Sequence, residues 1–125
     1  MGIGRFSHLR LRTSRIEQMR RFYTETLELS VVASADHQAF TVTLGESKIE
    51  FVNHETGSAF YPFYHFAVNV PENMFESAKR WLKQRTNLLL DSETGKDQIF
   101  FSKWNAHAVY FADPDGNIGE IIARH

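Results

Sequence analysis

Two histidines and two glutamates occupy corresponding positions in the two halves of this chain of 125 residues. The first strand-like run of each half reads aromatic, any residue, histidine, which places His8 and His65. A later run of each half holds one glutamate between apolar neighbours, Glu50 and Glu120. A glutamate buried alone is costly, so each needs a cation or a hydrogen-bond donor as partner. Together the four would suit a divalent metal ion with nitrogen and oxygen ligands.

Each of these residues also has a simpler interpretation. A single histidine in a strand is more often a core or rim residue than a metal ligand. Glu50 and Glu120 could face solvent or pair with a nearby arginine. Each half has one histidine and one glutamate at corresponding positions, and this coincidence makes the metal hypothesis as strong as these alternatives.

Residues around the four candidates suggest a substrate pocket. Arg12 shares a strand face with His8, and its charge could hold an anionic group of the substrate. His54 lies four residues after Glu50 and could line the same site. Trp104 flanks a loop that could close over a pocket. Surface charge and core packing are the alternatives for Arg12 and Trp104.

The elements that position these residues form a repeat. Alternation over residues 5–12 predicts a strand, and apolar spacing after the N-cap candidates Thr13 and Ser14 predicts a helix over 15–28. A strand and a helix recur near 64–70 and 74–82, with Pro71 at the helix start. The remaining strand predictions are 30–35, 38–44, 47–53, 88–90, 98–102, 106–112 and 117–123. The order strand, helix, strands thus occurs twice, offset by 57 residues. This predicts one α+β domain over 1–125, built of βαβββ modules at 5–54 and 61–123.

Composition restricts the class of protein. Lys and Arg number 14 against 15 Asp and Glu, so nothing favours binding to nucleic acid. Cysteine is absent, which excludes disulfides and thiolate ligands and makes a cytoplasmic protein the default. No apolar run approaches the roughly 20 residues that span a bilayer. We therefore expect a cytoplasmic protein that binds a small molecule and no membrane.

The motifs resemble those of the vicinal oxygen chelate superfamily, which includes glyoxalase I, extradiol dioxygenases, fosfomycin-resistance thiol transferases and bleomycin-binding proteins. The resemblance covers essentially the whole chain. It is carried by His8, His65, the helix phrase RFYTETLEL at 21–29 and the phrase DPDGNIGE at 113–120. It implies that the two βαβββ modules form a cupped mixed sheet, and that the chain forms a homodimer.

The ligand pattern is most similar to that of glyoxalase I. This likeness implies one divalent ion (Ni, Zn, Co, Mn or Fe) held by His8, Glu50, His65 and Glu120, with Arg12 anchoring the substrate. It implies a lyase or isomerase in which the metal stabilises an enediolate and Glu120 or Glu50 moves the proton. The chain departs from the pattern at His54, where the family has an asparagine that contacts glutathione. Another thiol adduct or oxygenated substrate would therefore be expected.

Two alternatives remain open within the superfamily. Its dioxygenases and thiol transferases use three ligands, which would be His8, His65 and Glu120 here, a set that also suits Fe(II). Its bleomycin-sequestering members bind a small molecule without catalysis. Retention of all four candidate ligands argues against that last class.

Overall fold

The computed structural model describes residues 8–45, 47–53 and 64–125, which form eight strands and two α-helices with short π and 3-10 segments. The first module contains β1 (His8–Thr13), α1 (Ile16–Arg21), a π-helix (Phe22–Thr26), β2 (Ser30–Ala33), β3 (Ala39–Leu44) and β4 (Ser47–Asn53). The second contains β5 (His65–Asn69), a 3-10 helix (Glu72–Met74), α2 (Phe75–Lys83), β6 (Ile99–Phe101), β7 (Ala106–Ala112) and β8 (Ile118–Arg124). The predicted repeat of strand, helix and three strands is therefore present within the described residues.

Each module forms one four-stranded mixed sheet, and the two sheets have the same topology. Sheet A has the order β1-β4-β3-β2, and sheet B has the order β5-β8-β7-β6. In both, the first strand pairs in parallel with the last strand of its module, and the remaining pairs are antiparallel. This arrangement confirms the predicted fold class.

One face of each sheet contributes to a shared apolar core. Residues alternate along each strand, so Phe40 and Phe51 of sheet A and Phe66 and Phe111 of sheet B are buried. Together with Tyr23 from the π-helix, they belong to a single cluster that includes residues of both modules. The opposite face of each sheet carries the polar candidates, and we call it the open face.

The first helical segment differs from the prediction of one continuous helix over 15–28. The α-helix covers Ile16–Arg21 and continues as a π-helix, in which Leu27 N–H donates to Phe22 O at 2.9 Å. No side chain caps the N-terminus, although Thr13 Oγ1 accepts from Arg15 N–H at 3.0 Å. Met19, Tyr23 and Leu27 are nevertheless fully buried, as the apolar spacing indicates.

The strand predicted at 88–90 is wrong. In that stretch Leu89 N–H donates to Tyr110 O at 2.9 Å, but no ladder extends from this bond. A short apolar run is ambiguous without pairing partners, and β7 already pairs with β6 and β8. Among the helices that the structure describes, none is long and apolar enough to cross a membrane.

Candidate functional site

His65 and Glu120 form a close pair on the open face of sheet B. His65 Nε2 lies 2.9 Å from Glu120 Oε1. The parallel ladder of β5 and β8 places them together, since Glu120 pairs in register with Ala67, two residues after His65. Only 11% of the Glu120 side chain is exposed, against 56% for His65. The structure thus presents a nearly buried carboxylate whose imidazole partner is accessible from solvent.

Tyr110 completes this cluster and was not predicted from the sequence. It pairs in register with Glu120, and its ring packs edge-on against His65 with centroids 5.7 Å apart. Partial burial, followed by the charge of Glu120, raises the pKa of Tyr110 to about 12. At neutral pH the phenol is therefore protonated and can act as a hydrogen-bond donor. The turn at 113–117 could have indicated this contact from the sequence. Residues 110 and 120 are equally far from the turn, so they lie side by side on the two antiparallel strands.

The first module carries the equivalent residues in a different local arrangement. His8 is exposed at the start of β1, and Glu50 pairs with Arg10 rather than with the histidine. Arg10 Nε lies 3.5 Å from Glu50 Oε1, and 29% of the Glu50 side chain is exposed. Arg12 and Lys48 are also exposed on this open face. The open face of sheet A is consequently rich in positive charge.

The register of the two modules is nevertheless the same. Glu50 pairs in parallel with Arg10, two residues after His8, just as Glu120 pairs with Ala67, two residues after His65. Each module therefore offers one histidine and one glutamate at equivalent places on its open face. We call His8 with Glu50, and His65 with Glu120, the two half-sites.

Within the described part of one chain, the two half-sites do not come together as a single set of metal ligands. Among residues 8–45, 47–53 and 64–125, no cluster of three or more His, Cys, Asp or Glu side chains is placed to hold a metal ion. The second half-site by itself fits a divalent ion, because an imidazole nitrogen and a carboxylate oxygen converge where solvent has access. The four-ligand set remains a prediction that requires the two half-sites to meet.

The predicted substrate residues are spread over different parts of the chain. Arg12 is exposed on the same face as His8, and its backbone N–H donates to Tyr64 Oη at 3.4 Å. Trp104 is 60% exposed in the turn between β6 and β7, where it packs on Phe101 with ring centroids 5.2 Å apart. His54 lies outside the described residues. The roles of all three in binding substrate remain predictions.

A buried polar network fixes the turn that leads into β8. Asp113 Oδ2 accepts hydrogen bonds from Tyr23 Oη at 2.9 Å and from Asn117 Nδ2 at 2.8 Å. Asn117 Oδ1 accepts in turn from Tyr64 N–H, next to His65, at 2.8 Å. The network connects the first module to the strands that carry His65 and Glu120. The sequence phrase at 113–120 marked the turn, but not its partner Tyr23.

Comparison with protein families agrees with this architecture. Residues 5–121 match the model of the Glyoxalase/Bleomycin resistance protein/Dioxygenase superfamily. The chain belongs to this family, which confirms the resemblance seen in the sequence motifs. Members of the superfamily typically bind small molecules, commonly hold a divalent metal ion and are often dimeric.

Solved structures share the fold at low sequence identity. An integron cassette protein from a sewage-outfall metagenome of Halifax Harbour has a TM-score of 0.71 at 18% identity, covering 97% of this chain and 99% of its own. A glyoxalase/bleomycin resistance protein/dioxygenase from Nocardioides has 0.67 at 20%, covering 94% and 82%. A lactoylglutathione lyase from Agrobacterium tumefaciens has 0.64 at 14%, covering 94% and 91%. No curated protein matches the chain in sequence.

Proposed function

We propose that the chain is a divalent-metal-dependent lyase or isomerase of glyoxalase type, acting on a small oxygenated substrate or a thiol adduct. The observation that supports it is the His65–Glu120 pair at 2.9 Å, together with the same register for His8 and Glu50. A second half-site with the same residue types is what a four-ligand centre requires.

In this proposal His8, Glu50, His65 and Glu120 hold one divalent ion. The ion would supply Lewis-acid polarisation of the substrate oxygens. Since each described half-site lies on its own open face, we propose that the first module of one subunit meets the second module of its partner in a homodimer. Symmetry then produces two equivalent sites per dimer.

The side chains of this chain have distinct roles around the reacting carbons. Glu120 moves the proton between adjacent carbons, because its carboxylate is nearly buried and lies 2.9 Å from the accessible His65. Tyr110 is protonated at neutral pH and stabilises the Glu120 carboxylate by donating a hydrogen bond to it. Arg12 holds an anionic group of the substrate, as its exposed position on the positive face of sheet A allows.

The ion pair between Arg10 and Glu50 favours a second candidate function. If Glu50 stays with Arg10, the remaining ligands are His8, His65 and Glu120. Two histidines and one carboxylate leave open positions on the ion, as dioxygenases and thiol transferases of the superfamily need. This candidate has the same location and the same dimer, but a different role for Glu50.

Metal content distinguishes these candidates. Elemental analysis is performed on tag-free His125→Ala protein that has been purified without chelator, because His107 and His125 lie close enough together to bind an ion of their own. We expect about one divalent ion per subunit in this reference protein and after the added change His37→Ala, which alters an exposed turn histidine. His65→Ala should lose the ion, because half of the best-formed half-site is removed. Glu50→Gln should lose it if four ligands are used and retain it if three are.

Mixing two defective variants tests the pairing of modules. In the same reference protein, His8→Ala and His65→Ala should each bind no ion, but unfolding and refolding the two variants together at equal concentrations forms heterodimers with one intact site. Random association makes half of the dimers heterodimers, so metal binding should return to about one quarter of the reference value. No recovery would contradict a site shared between subunits. Absence of metal from the reference protein, even after soaking in each candidate ion, would contradict both enzyme functions.

A further inference from the structure

A second group of titratable side chains lies on the other face of sheet B. His125 contacts both Glu72 and His107, and Glu72 Oε1 lies 2.7 Å from His125 Nδ1. His125 Nε2 is 2.5 Å from His107 Nδ1. His107 alternates along β7 with residues of the open face, so the group faces α2 and is separated by the sheet from Glu120.

Packing holds both imidazoles in place. The His107 ring lies near Phe75, with centroids 5.9 Å apart, and near Phe100, at 4.8 Å. The backbone N–H of His125 donates to Asn105 O at 2.8 Å, which fixes the residue that follows β8. The His125 side chain is 21% exposed, and that of Glu72 is 61% exposed. The two imidazoles are thus ordered by protein contacts, while solvent reaches the group on the side of His125 and Glu72.

Glu72 determines which nitrogen of His125 has a free lone pair. An ionised carboxylate only accepts hydrogen bonds, so His125 Nδ1 carries the hydrogen. The lone pair of His125 is then on Nε2, which points at His107 Nδ1. Two imidazole nitrogens facing one another must share a proton or a cation. The order carboxylate, imidazole, metal is also the arrangement that orients histidine ligands in metalloproteins.

We propose that His107 Nδ1 and His125 Nε2 bind one transition-metal ion of the Zn²⁺, Ni²⁺ or Cu²⁺ class, with water completing the coordination and Glu72 orienting His125. Imidazole nitrogens suit these ions. Two nitrogens at 2.0–2.1 Å from a tetrahedral ion are about 3.3 Å apart, so the pair would open by about 0.8 Å. The exposed sides of His125 and Glu72 give room for this movement. The site is independent of the proposed function, which uses the open face.

Zinc titration by calorimetry tests the proposal in full-length protein that carries His65→Ala and Glu120→Gln. These changes remove the second half-site, so binding that remains belongs elsewhere. We expect one equivalent of Zn²⁺, which His125→Ala abolishes and His37→Ala leaves unchanged. Glu72→Gln should weaken binding about 10- to 100-fold, the usual effect of losing a carboxylate that orients a ligand. Electron paramagnetic resonance with Cu²⁺ should show coupling to two nitrogens.

His125→Ala changes a ring outside the main apolar core, and circular dichroism can verify that the variant folds. His107→Phe, which retains an aromatic ring beside Phe75 and Phe100, should also abolish binding. The proposal is overturned if no Zn²⁺ binds in the starting background, since the nitrogens then share only a proton. It is equally overturned if His125→Ala binds with unchanged affinity. Neither result affects the proposed function, whose ion is measured in protein that lacks His125.

Discussion

Tyr23→Phe removes one hydroxyl from the contact between the two modules. That hydroxyl is fully buried, and it donates to Asp113 Oδ2 at 2.9 Å. Burial raises the pKa of Tyr23 well above its usual value, so the residue is a neutral donor. Burial also raises the pKa of Asp113, despite its hydrogen bonds to Asn117 and Tyr23. Loss of the Tyr23 hydroxyl therefore leaves the buried carboxyl group of Asp113 with one hydrogen-bond donor fewer.

The magnitude follows from the kind of bond that is lost. Hydrogen bonds to charged groups contribute about 1.5–3 kcal/mol, and the phenylalanine ring preserves the packing of Tyr23 on Phe51 at 5.2 Å. We expect the free energy of unfolding to fall by that amount. With an m-value of about 1.5 kcal/mol/M, the urea midpoint should fall by about 1–2 M. The measurement is equilibrium unfolding in urea at neutral pH.

Tyr64→Phe is the matched control, because it makes the same chemical change at a weaker bond. Tyr64 Oη accepts from Arg12 N–H at 3.4 Å in an exposed position, so its loss should cost about 0.5 kcal/mol or less. If Tyr23→Phe is no more destabilising than this control, the hydrogen bond from Tyr23 to Asp113 adds nothing measurable to the free energy of unfolding. Asp113 would then not depend on a hydrogen-bond donor from the first module.

Two further predictions concern packing and charge. A methyl group on Gly119 would overlap the ring of Phe111, so Gly119→Ala should lose about 1–3 kcal/mol in urea unfolding, with partial rescue by Phe111→Leu. Hydrogen bonds from Lys79 and Lys83 lower the pKa of Asp97, so its stabilising effect is present above the usual value of 3.8 and lost as the pH falls through the lowered pKa. Asp97→Asn should therefore be less stable than wild type at neutral pH, and this difference should shrink as the pH falls through the lowered pKa of Asp97. An equal loss of stability at neutral and acidic pH would contradict the assignment.

Periodicity was sufficient to predict most of the fold, because one face of each strand is buried. The strand predicted at 106–112 has the observed bounds, and that at 117–123 is displaced by one residue. The π-helix was missed, since the spacing of Met19, Tyr23 and Leu27 is compatible with α-helical turns. The wrong strand at 88–90 has a similar cause, because strand formation depends on an available partner that local sequence does not specify.

The second half-site followed from the repeat, whereas its surroundings depend on contacts between distant residues. Strand alternation can place His65 and Glu120 on one face, but it does not indicate that Glu50 will contact Arg10 instead of His8. Asp113 and Tyr23 are 90 residues apart, so their bond could not be read from local spacing. The group of Glu72, His107 and His125 was missed for the same reason.

The difference between the two glutamates bears on how many ligands the centre uses. Glu120 is nearly buried and 2.9 Å from its histidine, so the proposed ligand role requires no change in its position. Within the part of the chain that the structure describes, Glu50 forms its ion pair with Arg10, whose side chain is 69% exposed. Exposed ion pairs contribute about 0–1 kcal/mol, so turning Glu50 away from Arg10 costs little compared with what a metal–carboxylate bond supplies. The ion pair with Arg10 therefore orients Glu50 but does not prevent it from binding a metal ion. The metal content of Glu50→Gln, rather than this contact, distinguishes lyase from oxygenase chemistry.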